Sequence, residues 1–275
     1  MQAGPGDSWP SMLTLAAVAA ALGGWAWAVG LVVDRRRRGL PIVAGRGGEP
    51  ARWGAGDVAI VMAIHLCGAA VVTSSFPETA DLGTRLLANA ALALGVTAAA
   101  VAWLTAHGAT WRSLGLVSER PADDLRLAAG GLAFVLVPLL TLAAALNLLV
   151  PYEHPVVEYL AARRGPKAAA IVIFAAVVAA PVAEEFFFRR VLQGWLERLL
   201  PGSESAAVLV SAVAFALAHQ GQGLAFVPLF PLGVVLGLIA QRAGSIIPCI
   251  LLHAMFNAVS VTLLLAHPEA SSAAP

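Results

Sequence analysis

Glu184 and Glu185 stand side by side at the end of an apolar run, Ala168 to Ala183, and Arg189 follows Glu185 by four residues. Phe215 and His219 are spaced i, i+4, as are His253 and Asn257. On a helix that spacing puts both members of a pair on one face. A carboxylate in hydrocarbon costs roughly 2.5–3.5 kcal/mol at a helix centre on insertion scales, so an intramembrane pair points to function before packing. The residue types define a chemistry. A carboxylate in a low-dielectric site can act as general base for water. A histidine beside it can share or relay the proton. A second histidine and an asparagine amide supply donors for a developing oxyanion. Glu184, His219, His253 and Asn257 therefore suit hydrolysis of an amide bond inside a membrane. Arg189 is placed to pair with Glu185, which leaves Glu184 as the freer base, and Phe215 shares the face of His219. Two histidines and a glutamate can also hold zinc with an open position. No HExxH string accompanies them; no cofactor is expected, and zinc stays open.

These side chains need helices that bring them to one depth. The 275 residues are 59% hydrophobic and 12% charged, with a mean hydropathy of +0.82; soluble domains are about 25% charged. The expected fold class is all-α: a polytopic membrane protein of about eight transmembrane helices, with its active site inside the helical bundle. The expected spans are 12–33, 58–76, 86–106, 127–150, a fifth from 168 into the carboxylate pair, 206–219, 224–240 and 246–266. Pro138 predicts a kink in the fourth, and Gly233-x-x-x-Gly237 predicts close packing of the seventh. The midpoint between Glu184 and His219 falls at Pro201–Gly202, a turn, so two helical arms end at similar depth. Side chains on helices packed ~8–10 Å apart can then meet between the axes. Residues 1–125 read as three spans with connectors, 126–266 as five more with the chemical core at about 168–265, and 267–275 as a tail.

Charge orients the spans. Of the 17 basic residues, thirteen fall on one side of this topology, beginning with Arg35–Arg38, and Arg85, Arg163, Arg164 and Lys167 fall on the other. The positive-inside rule then puts the N-terminus outside. A net charge of +1 gives no argument for nucleic acid. Cys67 and Cys249 lie in apolar runs and read as small core residues.

At its polar intramembrane residues the sequence resembles the CPBP intramembrane proteases, which join type II CAAX prenyl endopeptidases with bacteriocin-processing or immunity (Abi) proteins. The family pattern is EExxxR, FxxxH and HxxxN or HxxxD on successive membrane helices. Here these strings are Glu184–Arg189, Phe215–His219 and Asn257 with His253, complete and in order. The resemblance covers about 168–265. It implies an all-helical intramembrane endopeptidase whose site is reached from the cytosol and whose substrate is a membrane-tethered protein or peptide. By the same resemblance Glu184 and His219 activate water, His253 and Asn257 stabilise the oxyanion, and Glu185 and Arg189 support the site. The family was first classed as metalloproteases; a glutamate-based, metal-free mechanism is now preferred. The Ala/Gly/Arg-rich composition points to a bacterial cytoplasmic membrane. Substrate sequence and oligomeric state are not encoded legibly.

Two other functions compete. A non-catalytic immunity factor or scaffold would keep the polar cluster for folding. A proton-coupled transporter would also place Glu and His in the membrane, but repeats and discontinuous helices are lacking. Gly54-Ala55-Gly56-Asp57 matches the GxGD string of intramembrane aspartyl proteases, yet it precedes a span and has no second intramembrane aspartate. No GxSxG string is present. His65, Asn89 and Asn147 read as inter-helix hydrogen-bond partners, Phe186–Phe188 as packing aromatics, and His107, His154 and His267 as loop residues.

Overall fold

The computed structural model describes residues 8–76, 80–150, 155–163 and 165–266. The first residues of the polar start, the middle of the acidic turn at 77–79, His154, His267 and the tail at 267–275 lie outside them. The described residues fold into helices with no strand among them. These are α1 (Ser8–Arg37), α2 (Ala55–Ser75), α3 (Leu82–Ala106), α4 (Pro121–Leu149), α5 (Pro155–Ala162), α6 (Pro166–Leu199), α7 (Glu204–Leu217), α8 (Phe226–Ala243) and α9 (Ile247–Ala266). Among them α1, α2, α3, α4, α6, α8 and α9 are long and apolar enough to cross a bilayer. The chain is an all-α polytopic membrane protein.

Two elements depart from the expected spans. The sixth was expected helical through His219, but α7 has 14 residues and stops at Leu217. At ~1.5 Å per residue it is about 21 Å long, short of the ~30 Å hydrocarbon core. His219 N–H bonds Ala216 O at 3.0 Å, a tightened last turn, and the glycine-rich stretch after it releases the chain into a 3₁₀ turn at Gly223–Ala225. The stretch between the fourth and fifth expected spans holds the short helix α5, with Pro155 in its first turn, a position where proline is favoured. Its Tyr159 and Leu160 are buried with Ala168, Val172 and Val261.

Packing follows the apolar faces. α7 lies along α8, and α8 and α9 both pack on α4, whose Ala128, Val135 and Leu139 join Leu232, Leu236, Ile239 and Leu252 in one buried cluster. Gly233 and Gly237 make the close approach their spacing predicts: a Cβ at Gly237 would sit 2.9 Å from Val208 on α7, and one at Gly233 3.1 Å from Ala212. Cys249 is buried as expected, whereas Cys67 on α2 is exposed; its apolar surroundings in sequence are the outward face of a span. Loops complete one end of the bundle. Gly244 ends α8 with φ +68°, and its backbone lies against Gly48 so closely that neither position has room for a Cβ. Arg46 N–H bonds Arg242 O beside it at 2.9 Å.

Candidate active site

α6 is continuous for 34 residues but changes register twice, with π-helical turns at Ile173–Ala179 and Glu185–Leu192. A π turn leaves backbone carbonyls without their usual donors, and such turns occur often at functional sites. Here side chains from elsewhere take those carbonyls. In the first turn Ala180 N–H bonds Ala175 O. The next carbonyl, Ala176 O, would look to residue 181, and Pro181 has no N–H. Asn257 Nδ2 from α9 donates to Ala176 O at 2.8 Å in its place. In the second turn Trp53 Nε1 donates to Val191 O at 2.9 Å, and Phe188 O, which accepts Gln193 N–H within the turn, takes a second donor, Ser211 Oγ from α7, at 2.8 Å. The register of the helix that carries both glutamates is thus held by α7, α9 and the loop before α2.

Asn257→Ala is accordingly expected to cost about 1–3 kcal/mol, the usual penalty of an unpaired buried polar group. The cost should shrink in a Pro181→Ala background, where a backbone N–H returns within reach of Ala176 O. Denaturation midpoints of the two single variants and the double variant measure this coupling; strictly additive effects would contradict it.

Where the second π turn begins, the carboxylates diverge. Glu185 is wholly buried. Its Oε2 accepts from Arg189 Nε at 3.0 Å and its Oε1 from His253 Nδ1 at 2.8 Å. Arg189, also buried, donates from Nη1 to Ser211 Oγ at 3.2 Å and stacks over the Phe215 ring at 4.8 Å. Phe215 touches both imidazoles edge-on, with ring centroids 5.1 Å from His219 and 5.8 Å from His253. Glu184 faces the other way. Its side chain is 25% exposed, yet Oε2 is buried and has no hydrogen-bond partner among the described residues. Nε2 of His219 lies 3.8 Å from it and Nε2 of His253 3.9 Å.

The ring protons follow from the partners. His219 Nδ1 is 2.9 Å from Phe215 O; a carbonyl only accepts, so Nδ1 carries the proton and Nε2 of the neutral ring is bare. His253 Nδ1 likewise faces a carboxylate that accepts. Glu184 Oε2 and two Nε2 atoms then converge, each pair of Glu and His too far apart for a direct hydrogen bond and well spaced for a bridging water.

The structure brings Glu184, Glu185, Arg189, Phe215, His219 and His253 into one contact network and places Asn257 beside it, with one amide N–H directed at Ala176 O. Ser211 was not singled out in sequence; its position four residues before Phe215, on the face toward α6, is the only signal it gives. Arg190 is a second such residue. It reaches Ser113 O and, at 2.7 Å, Glu49 O, and lies over the Trp53 ring at 5.2 Å, tying two loops to α6. Other polar residues have lesser parts. Asp57 of the GxGD string caps α2 through Gly54 N–H at 3.0 Å and accepts from Trp103 Nε1 at 3.0 Å. His107 closes α3 on Trp103 O. Asn89, expected to bridge helices, is exposed and has no partner among the described residues, because it lies on the outward face of α3. His65 stacks near Phe187 at 6.5 Å instead of hydrogen-bonding across helices.

Among the described residues no group of three or more His, Cys, Asp or Glu side chains is disposed to hold a metal ion. No curated protein and no solved structure matches the chain. A family model does: residues 166–259, the segment that carries all three motifs, match the model described as type II CAAX prenyl endopeptidase Rce1-like, so this segment is similar to the family its motifs resemble.

Proposed function

We propose that the protein is an intramembrane endopeptidase that hydrolyses a peptide bond of a membrane-associated protein or peptide with water activated by Glu184. The observation that carries this reading is the unpartnered, buried Glu184 Oε2 between two imidazole Nε2 atoms. The family of residues 166–259 supports the protease class. Glu184 takes a proton from the water, sharing it with His219 Nε2, and the water oxygen bonds the scissile carbonyl carbon. The carbonyl oxygen becomes an oxyanion. His253, which has taken a second proton from solvent water before substrate binds, donates to it from Nε2 and keeps that proton on collapse; Glu185 on Nδ1 stabilises this imidazolium, as the acid of a hydrolytic triad does. Collapse breaks the C–N bond, and the proton held by Glu184 and His219 goes to the leaving amine. Asn257 acts first on the backbone of α6, through Ala176, and holds the carboxylates in register.

The same reading sets the protein in a bacterial cytoplasmic membrane with its N-terminus outside. Although α7 is short, it pairs with α8 as a hairpin, so the parity of the later helices and the arginine bias are those of eight spans. The test is cleavage of membrane-tethered peptides by the full chain in liposomes. Wild type is expected to release products and His219→Ala to be slower by roughly 10²-fold or more. Undiminished cleavage by His219→Ala would remove the relay, and full cellular function of that variant at normal abundance would favour a scaffold.

A further inference from the structure

A cavity of about 980 Å³ lies apart from the glutamates, between α1, α4 and α8 where α1 ends, α4 begins and α8 ends. Its size is at the upper end of small-molecule sites, ~300–1,000 Å³. Glu184, His219 and His253 do not line it. Its two ends differ. Deeper in the bundle the wall is apolar, with Trp27 and Leu31 from α1, Phe134 from α4 and Leu238 from α8. Trp27, Leu31 and Leu238 are 61%, 45% and 38% exposed, so the cavity opens sideways between α1 and α8.

The outer end is charged, and its charges do not cancel. Each acid there has its own arginine: Asp124 pairs with Arg46, Glu119 with Arg112, Asp123 with Arg126 at 2.8 Å, and Glu49 with Arg52 at 3.4 Å. Two lining arginines are left over. Arg35 spends only Nε, on Pro41 O at 2.7 Å, and has no acidic partner among the described residues. Arg120 has no side-chain partner among them at all. Both stand at the ends of spanning helices, the level of lipid headgroups, with apolar wall about one to four turns deeper on the same helices.

We propose that this cavity binds an anionic phospholipid, its phosphate between Arg35 and Arg120 and one acyl chain along Trp27, Leu31, Phe134 and Leu238, leaving through the side opening. Basic pockets between membrane helices hold acidic headgroups by the same electrostatics, at about 1 kcal/mol per basic residue. A zwitterionic lipid offers the phosphate but adds a cation that the two surplus arginines repel. The inference does not depend on catalysis at Glu184.

The test uses the purified full chain, stripped of lipid in neutral detergent and titrated with phosphatidylglycerol, phosphatidylcholine or inorganic phosphate under native mass spectrometry. Wild type and an Arg36→Gln/Arg37→Gln control, altered on the same helix end but outside the cavity, should favour phosphatidylglycerol by about tenfold or more. Arg35→Gln/Arg120→Gln should lose that preference. Gly130 lines the cavity and a Cβ there meets nothing within 4 Å, so Gly130→Leu should fold and exclude both lipids. Equal retention of the two lipids by wild type, an undiminished preference in Arg35→Gln/Arg120→Gln, lipid bound as before to Gly130→Leu, or displacement of phosphatidylglycerol by inorganic phosphate would each overturn the proposal. If the double arginine variant does not fold, Gly130→Leu and the wild-type comparison decide it.

Discussion

Glu184→Gln is expected to lower cleavage of a membrane-tethered peptide by about 10²–10⁴-fold, the range a positioned general base contributes. The amide has the shape of the carboxylate and none of its basicity. The same variant should leave the thermal midpoint unchanged or raise it, because wild-type Glu184 Oε2 is a buried oxygen without a hydrogen-bond partner among the described residues. A functional group kept at the expense of stability behaves this way when neutralised. Cleavage and midpoint measured on one preparation check both halves. A variant that cleaves as wild type does would remove Glu184 as the base. A variant that loses activity only because it unfolds would make Glu184 a structural residue.

Glu185, one residue on, should respond in the opposite manner. It is wholly buried and compensates a wholly buried Arg189. Removing one member of a buried pair leaves the other charge unmatched, at a cost of about 3–5 kcal/mol, whereas replacing both with apolar groups of similar volume can be close to neutral. Glu185→Ala should therefore fall sharply in abundance and in denaturation midpoint. Glu185→Leu/Arg189→Met should recover most of that loss and remain inactive, since His253 then lacks the carboxylate on Nδ1. Equal instability of the single and double variants would show that the pair is not what the helix end needs. The contrast between adjacent glutamates is the sharper for their shared backbone: the π turn that begins at Glu185 sends one side chain inward and leaves the other toward the imidazoles.

Much of this arrangement is legible in the amino-acid order. The i, i+4 pairs and the hairpin centred on Pro201–Gly202 need only helical periodicity, and they bring Glu184 to His219 and His253. The pairing of Glu185 with Arg189 follows from spacing alone. What the order hides is register. Nothing local marks the π turns, because the side chains that bond their carbonyls, Trp53, Ser211 and Asn257, come from other elements. Pro181 is the one hint, a residue without an N–H in the middle of an apolar helix. Asn257 could be read as an oxyanion donor for the same reason: its carbonyl partner is created by a register change 81 residues away. The shortness of α7 escapes hydropathy, since the apolar run continues through Ala218 and gives way to polar and glycine residues only at His219. The cavity beside α1 escapes as well; its surplus of two arginines appears only after every acid has found its partner in space.

The central claim is that a water sits where Glu184 Oε2 and the two Nε2 atoms converge. The most direct test is an electron cryo-microscopy map of the full chain in a lipid nanodisc, at a resolution that shows ordered water. The expected result is a water within hydrogen-bond reach, about 2.6–3.2 Å, of Glu184 Oε2 and of Nε2 on His219 or His253. A Glu184 carboxylate turned out to the acyl chains, or bonded directly to an imidazole with no room for water between them, would contradict it.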